Sequence, residues 1–172
     1  IQVVACCDVV EESAQQRAQE IARFQRRKPT VYTDVEQMLK RAKGIEAVDI
    51  CALHSQHHIL AVACLEAGKH AIIEKPLAIT LRAGRKILDA AVDNRRLLAV
   101  AENYRRSPAE RARAWAIAQG RIGKPRTFYW QEVGEGLGKW GWRNFKRDAG
   151  AGWILDGGVH FADLFRYHLG VE

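Results

Sequence analysis

Short, continuously apolar runs alternate along this chain with longer stretches of helical period. Residues 3–7 are a run of the first kind and close on Asp8. Residues 12–24 repeat at helical spacing. Residues 30–32 form a second short run, and Thr33 with Glu36 stand in capping-box register ahead of a helix to residue 42. Residues 47–53 are a third strand. The helix from residue 56 stops at Gly68, a residue suited to the left-handed turn at a helix end. Residues 70–73 then run straight into Lys75-Pro76. Thr80 caps a long helix to residue 94, and residues 97–101 read as a further strand. The βαβα order predicts a parallel sheet with helices on both faces.

After residue 101 the pattern changes. Asn103-Tyr104-Arg105-Arg106 is polar and follows a strand end. Ser107-Pro108-Ala109-Glu110 is a helix start, with a cap, a proline at the first position and a capping glutamate. That helix ends at Gly120. Residues 125–133 alternate like a strand and carry aromatics, whereas residues 134–152 are rich in Gly and Trp and have no period. Beyond them, Asp156, His160, Asp163 and Tyr167 fall on one narrow helical face, with Ile154, Phe161, Phe165 and Leu169 on the other. A junction at residues 101–107 predicts two domains, 1–102 and 103–172.

Composition narrows the classes. The 172 residues are enough for a real core, and the apolar (48%) and charged (27%) fractions are those of a water-soluble globule. No apolar run approaches the ~18 residues of a membrane span, and the N-terminus lacks the features of a signal peptide. The net charge is +7. Its Lys and Arg are scattered over helix surfaces, and the tryptophans keep company with Glu132 and Glu135, so no nucleic-acid face is expected. Cys6 and Cys7 are adjacent on a strand and point to opposite faces. Cys51 and Cys64 sit in apolar surroundings. The cysteines show no zinc spacing and are expected to be reduced, in the cytoplasm. His54, His57 and His58 cluster, but nothing completes a ligand set, so no metal is expected.

Two motifs carry candidate chemistry. The first is Gly68-Lys69-His70-Ala71-Ile72-Ile73-Glu74-Lys75-Pro76-Leu77. Ligands of open α/β sheets collect at the carboxyl ends of strands, so this run places an ammonium at the cleft. The second is Gly152-Trp153-Ile154-Leu155-Asp156-Gly157-Gly158-Val159-His160-Phe161-Ala162-Asp163. The two resemble the signatures of the glucose–fructose oxidoreductase / inositol dehydrogenase (Gfo/Idh/MocA) family. The resemblance covers nearly the whole chain, including Asn103 with Arg105, the run from Gly120 to Pro125, and Trp142-Arg143.

A dinucleotide site needs a glycine-rich turn after the first strand, where backbone amides meet the pyrophosphate. No glycine precedes Gly44. The first strand ends instead in Asp8, as the second strand of such a fold does, where the carboxylate accepts hydrogen bonds from the adenosine ribose. The expectation is an incomplete Rossmann-type doubly wound sheet without its first strand and phosphate loop. The start of an α+β substrate domain would follow, cut short at its end. In the common strand order the absent strand lies between strands 3–7 and 47–53, so these two are not expected to pair. Asp8 serves equally well as a helix cap.

The resemblance implies an NAD-dependent oxidoreductase acting on the CH–OH group of a sugar, polyol or related acid, inactive as this stretch alone. Oxidising an alcohol removes a hydride from carbon and a proton from oxygen, and histidine suits the base. His160 is expected to be that acid/base. Lys75 would stabilise charge growing on the oxygen, and Asp156 would bind a substrate hydroxyl or orient the imidazole, all three meeting in one interdomain cleft. Asp8, His54, His57, Glu74, Lys75 and Asn103 are expected at the cofactor. Tyr104, Arg105, Trp142, Arg143 and Asp156 are expected at the substrate. The loop before the third helix has Leu53 where the family has proline, while His57 matches the family's histidine. NAD is favoured over NADP because Asp8 is followed by Val9-Val10 and no Arg. The full-length protein is expected to be a homo-oligomer. Two other outcomes stay open: an NAD-dependent glycosidase on the same fold, working by transient redox, and a non-catalytic nucleotide-binding sensor.

Overall fold

The computed structural model describes residues 1–131 and 140–170. The first elements are β1 (Ala5–Cys7), α1 (Glu11–Ile21), β2 (Thr30–Tyr32), α2 (Val35–Arg41), β3 (Ala47–Ile50), α3 (His57–Glu66), β4 (His70–Ile73), α4 (Leu81–Asp93) and β5 (Leu98–Val100). Every strand pair is parallel. Among the described residues β1 pairs only with β2, and β3, β4 and β5 form a second sheet with β4 in the middle. β1 and β3 are therefore not hydrogen-bonded to each other, as the sequence led us to expect.

Register decides which side of the second sheet is covered. Ile50, Ile73 and Val100 lie in one row, and Val48, Ala71 and Leu98 lie two residues back on the same face. Against this face pack Ala61, Cys64 and Leu65 of α3 and Ile87, Ala90 and Ala91 of α4. Both sets repeat at helical spacing, one stripe per helix. Asp49, Ile72 and Ala99 form the intervening row on the opposite face, which is open among the described residues.

The helix caps follow local chemistry. Thr80 accepts from the Ala83 N–H at 3.1 Å, as expected. The second cap is Asp34, not Thr33: its carboxylate accepts from the Gln37 N–H at 2.7 Å. Glu36 does not turn back to a cap but pairs with Lys40 at 3.3 Å. Both residues are good caps by type, and Asp34 is the one followed directly by helical backbone.

A 3₁₀ turn (Tyr104–Arg106), α5 (Pro108–Ala118), a second 3₁₀ turn (Gly141–Asn144), α6 (Lys146–Ala149), α7 (Gly152–Asp156) and α8 (Gly158–Leu169) follow. Ser107 caps α5 by accepting from the Glu110 N–H at 3.3 Å, although the Glu110 carboxylate pairs with Arg113 and His168 instead of the cap. The strand expected over residues 125–133 is not formed by 125–131, and residues 132 and 133 lie outside the described residues, as do residues 134–139. The alternation there has another purpose. Phe128 and Trp130 face α8, meeting Phe165 at 5.1 Å and Phe161 at 4.6 Å, while Tyr129 is exposed.

The last helix also differs from expectation. It is broken at Gly157, where the Trp153 ring lies so close that an added Cβ would stand 2.7 Å from it. Asp156 thus ends α7 and His160 sits in the first turn of α8, so they do not share one helix face. The buried stripe of α8 is His160, Leu164 and His168, whereas Ile154 and Leu169 are exposed. No helix among the described residues is long and apolar enough to cross a membrane.

Candidate active site

The end of β4 delivers Lys75, and α7 delivers the carboxylate that meets it. Lys75 Nζ donates to the Asp156 backbone carbonyl at 2.9 Å and to Asp156 Oδ1 at 3.2 Å. An ammonium has three N–H groups, so one remains for a ligand. Asp156 Oδ1 also lies 3.3 Å from His54 Nε2 and 3.4 Å from Arg143 Nε. Oδ2 has no partner among the described residues, which leaves it as an acceptor. Burial pushes the Asp156 carboxyl up. The Lys75 hydrogen bond and charge, with Arg143 and His54, outweigh burial and hold it below the ordinary carboxylate value. The group is ionised at neutral pH.

The structure places His54 and His57 inside the protein, not on an open cofactor face. His54 is 2% exposed and its Nδ1 lies 3.2 Å from the Ala149 carbonyl. Burial holds its imidazole below the usual histidine range, against the opposing pull of Ala149 and Asp156. A neutral ring carries one N–H, so it bonds either Ala149 or Asp156, not both. His57 is fully buried, with Nδ1 2.7 Å from the Pro76 carbonyl and Nε2 3.2 Å from that of Ala52. A neutral ring donates to only one of these carbonyls, and the shorter contact, to Pro76, ties the start of α3 to the turn after β4 and steadies the backbone next to Lys75. Glu74 accepts from the Lys75 N–H at 3.2 Å.

His160 has bonding partners of its own, different from those of the Lys75–Asp156 pair. Its Nδ1 lies 2.8 Å from both carboxylate oxygens of Glu102, and Tyr104 stacks on its ring at 3.8 Å and 6°. Glu102 was not singled out in the sequence. Its signal was its place at the end of β5, the same place that marks Glu74 and Lys75 on β4. Arg105 grips Asp163 through two nitrogens, one at 2.7 Å. Trp142 meets the His54 ring edge-on at 4.8 Å and carries the Arg143 guanidinium on its face at 4.4 Å. Asn103 is exposed, and its carbonyl accepts from the Arg106 N–H at 3.0 Å. A cavity of about 410 Å³ lies along α8, lined by Arg105, Val159, Ala162, Asp163 and Arg166; Lys75 and His160 are not among its walls.

The residues present fit a dinucleotide. Because the strands are parallel, β3, β4 and β5 present their carboxyl ends together. Asp8, exposed at the end of β1, accepts from the Val10 N–H at 2.8 Å through one oxygen. Its other oxygen is open to a ribose diol. The backbone N–H of Asp8 reaches the Tyr32 carbonyl, and Tyr32 lines a cavity of about 310 Å³ with Glu11, Val31, Thr33, Gln37 and Arg41. Arg41 in this wall is a cation that a 2′-phosphate would meet, against the expectation that no Arg lies there.

Nucleophilic cysteine chemistry has no support. Cys51 is exposed beside Asp49, contrary to the apolar setting expected for it. Partial desolvation, reinforced by Asp49, pushes its thiol up to about 11 although part of the residue meets solvent, and burial does the same for Cys64. All four cysteines are free. Among the described residues no group of His, Cys, Asp and Glu is placed to hold a metal ion.

The profile of an oxidoreductase family with an NAD-binding Rossmann fold, Gfo/Idh/MocA, matches residues 2–102. The chain belongs to the Gfo/Idh/MocA oxidoreductase family. It is 37% identical over 140 residues to 1,5-anhydro-D-fructose reductase of Ensifer adhaerens, covering 80% of this chain and 41% of that protein. It is also 37% identical over 134 residues to levoglucosan dehydrogenase of Pseudarthrobacter phenanthrenivorans, covering 73% of this chain and 33% of that protein. A solved structure of a levoglucosan dehydrogenase in complex with NADH and levoglucosan superposes with a TM-score of 0.81 at 31% identity, over 99% of this chain and 45% of that one. The chain thus spans less than half the length of these Gfo/Idh/MocA relatives.

Proposed function

We propose that this chain forms the cofactor side and part of the catalytic cleft of an NAD-dependent oxidoreductase acting on a hydroxyl of a sugar or polyol. Residues 1–102 are the dinucleotide-binding unit and residues 103–172 begin the substrate unit. The observation that carries this is the direct contact between Lys75, from the end of β4, and Asp156, from α7. Burying a cation and a carboxylate together is costly unless they are paired, and core formation does not require them to meet. Relatives named as a sugar reductase and a levoglucosan dehydrogenase support the substrate class.

A bound NAD, held at its adenosine ribose by Asp8, would supply the acceptor for the hydride leaving the substrate carbon. His160 takes the hydroxyl proton. The third N–H of Lys75 bonds the same oxygen and stabilises the charge that grows there, and the burial of most of the Lys75 and Asp156 side chains weakens solvent screening. Asp156 Oδ2 accepts from a neighbouring hydroxyl, and Arg143 and Trp142 wall the pocket, a guanidinium fork and an aromatic face being suited to a polyhydroxylated ring. Asp8 holds the adenosine ribose, with NAD preferred over NADP. The full-length protein works as a homo-oligomer in the cytoplasm.

The test is NADH formation by the full-length protein offered NAD, and separately NADP, with anhydrosugars, inositols and glycosides. Turnover of a sugar or polyol with NAD is expected, and His160→Ala should lower kcat about a hundredfold or more with NAD binding intact. Glycoside cleavage without net NADH would instead indicate the transient-redox glycosidase. NAD binding with no turnover of any sugar would reject the oxidoreductase.

A further inference from the structure

The geometry points to Glu102 as the residue that positions the reacting imidazole, fixing which ring nitrogen of His160 faces the cleft. This rests on the oxidoreductase reading above and assigns a role that the sequence had left open to Asp156. Asp156 is already committed: its Oδ1 meets Lys75, His54 and Arg143, and none of its contacts is with His160. Glu102 is the carboxylate at hydrogen-bond distance, with both oxygens 2.8 Å from His160 Nδ1.

The protonation pattern follows from the neighbours. The Tyr104 backbone N–H donates to Glu102 Oε1 at 2.9 Å, so that oxygen already serves as an acceptor. A carboxylate only accepts, so His160 Nδ1 carries a proton. A neutral imidazole has one N–H, which leaves Nε2 bare and able to take a proton from a hydroxyl. Two further features hold this arrangement. The Ala101 N–H bonds the Ile73 carbonyl at 2.8 Å, so the backbone next to Glu102 is tied to the sheet that carries Lys75. The Tyr104 ring lies flat against the imidazole, 6° from parallel, and resists its rotation. Flipping the ring would set a C–H against the carboxylate. Glu102 does not touch the reacting atoms on this account. It acts through His160, as the carboxylate of a Ser-His-Asp triad acts through its histidine.

The test uses the full-length protein labelled with ¹⁵N-histidine, as wild type, Glu102→Gln and Glu102→Ala. Nitrogen shifts in the neutral state report which His160 nitrogen bears the proton. We expect the Nδ1–H tautomer in wild type and a mixture or the opposite tautomer in both variants. Both variants should also lose about tenfold to a hundredfold in kcat, with KM for sugar and NAD within about twofold. Glu102→Gln is nearly isosteric and should fold even if Glu102→Ala does not. An Nε2–H tautomer in wild type, or wild-type kcat and tautomer in Glu102→Gln, would overturn the assignment. If the wild type turns over no sugar with NAD, the oxidoreductase reading fails, while the tautomer measurement still decides whether Glu102 sets the His160 proton.

Discussion

The two ends of this chain are held by different physics. Up to residue 102 the contacts are mostly apolar: the α3 and α4 stripes close over β3 to β5, and of the buried apolar residues among those described only Ala149 and Leu164 come later in the chain. The later segment is fastened mainly by charge and rings. Glu102 with His160, Arg105 with Asp163 and Glu110 with His168 are three pairs, each 58 residues apart, that lay the stretch after β5 along α8. Phe128 and Trp130 add aromatic contacts to the same helix. Apolar burial stabilises broadly and tolerates small shifts. A buried ionic pair adds little net stability over apolar packing, yet removing one partner strands a charge, so such pairs work best at holding side chains in register. The catalytic candidates lie where these two regimes meet.

The largest expected loss of stability is in the apolar half. Ile87 is fully buried against the sheet, and Ile87→Ala should destabilise folding by about 2–5 kcal/mol. The prediction is a lower denaturation midpoint with kcat unchanged at saturating folded enzyme. A loss of kcat without a loss of stability would show that the apolar half also tunes the site.

Gly157 separates α7 from α8 and has the Trp153 ring where a side chain would go. Gly157→Ala should cost about 1–3 kcal/mol through overpacking and should also displace His160 from Glu102, so stability and turnover fall together. An unchanged turnover rate would mean that the break between α7 and α8 has no part in placing His160.

The helix cap gives a smaller effect. Asp34→Ala should cost about 1 kcal/mol in thermal or urea unfolding, and Thr33→Ala close to nothing. The reverse ranking would restore the capping box read from the sequence.

The last effect is confined to acid. Because Asp156 is held below its ordinary value of 3.8, its contribution is complete above that value and is lost as pH falls through it toward the folded value. Tryptophan fluorescence from Trp142 and Trp153, close to this contact, should change over that range before the helical circular dichroism does. Asp156→Asn should remove the early step. An early step that persists in the variant would place its origin in another group.

Much of the first half was legible in the sequence because its signals are local. Apolar runs, the Thr80 and Ser107 caps and the glycine after α3 each act over a few residues, and the observed elements follow them closely. The family could be read for the same reason, since its motifs are contiguous. Local signals misled where two neighbours compete for one task, as with Thr33 and Asp34, or where a pattern has two uses, as with the alternation around Phe128 that packs on α8 without a paired strand.

The sequence by itself determined the order of strands and helices from β1 to α5, the lysine at the end of β4, and the carboxylate and histidine that come after it. Only the tertiary structure decided their partners. Periodicity put Asp156 and His160 on one face, yet the Trp153 ring over Gly157 splits the helix and sends Asp156 to Lys75 and His160 to Glu102. Hydrogen bonds between residues 58 or 81 positions apart depend on how sheets and helices dock. That docking is a property of the whole packed chain and leaves no local trace in the spacing of its residues.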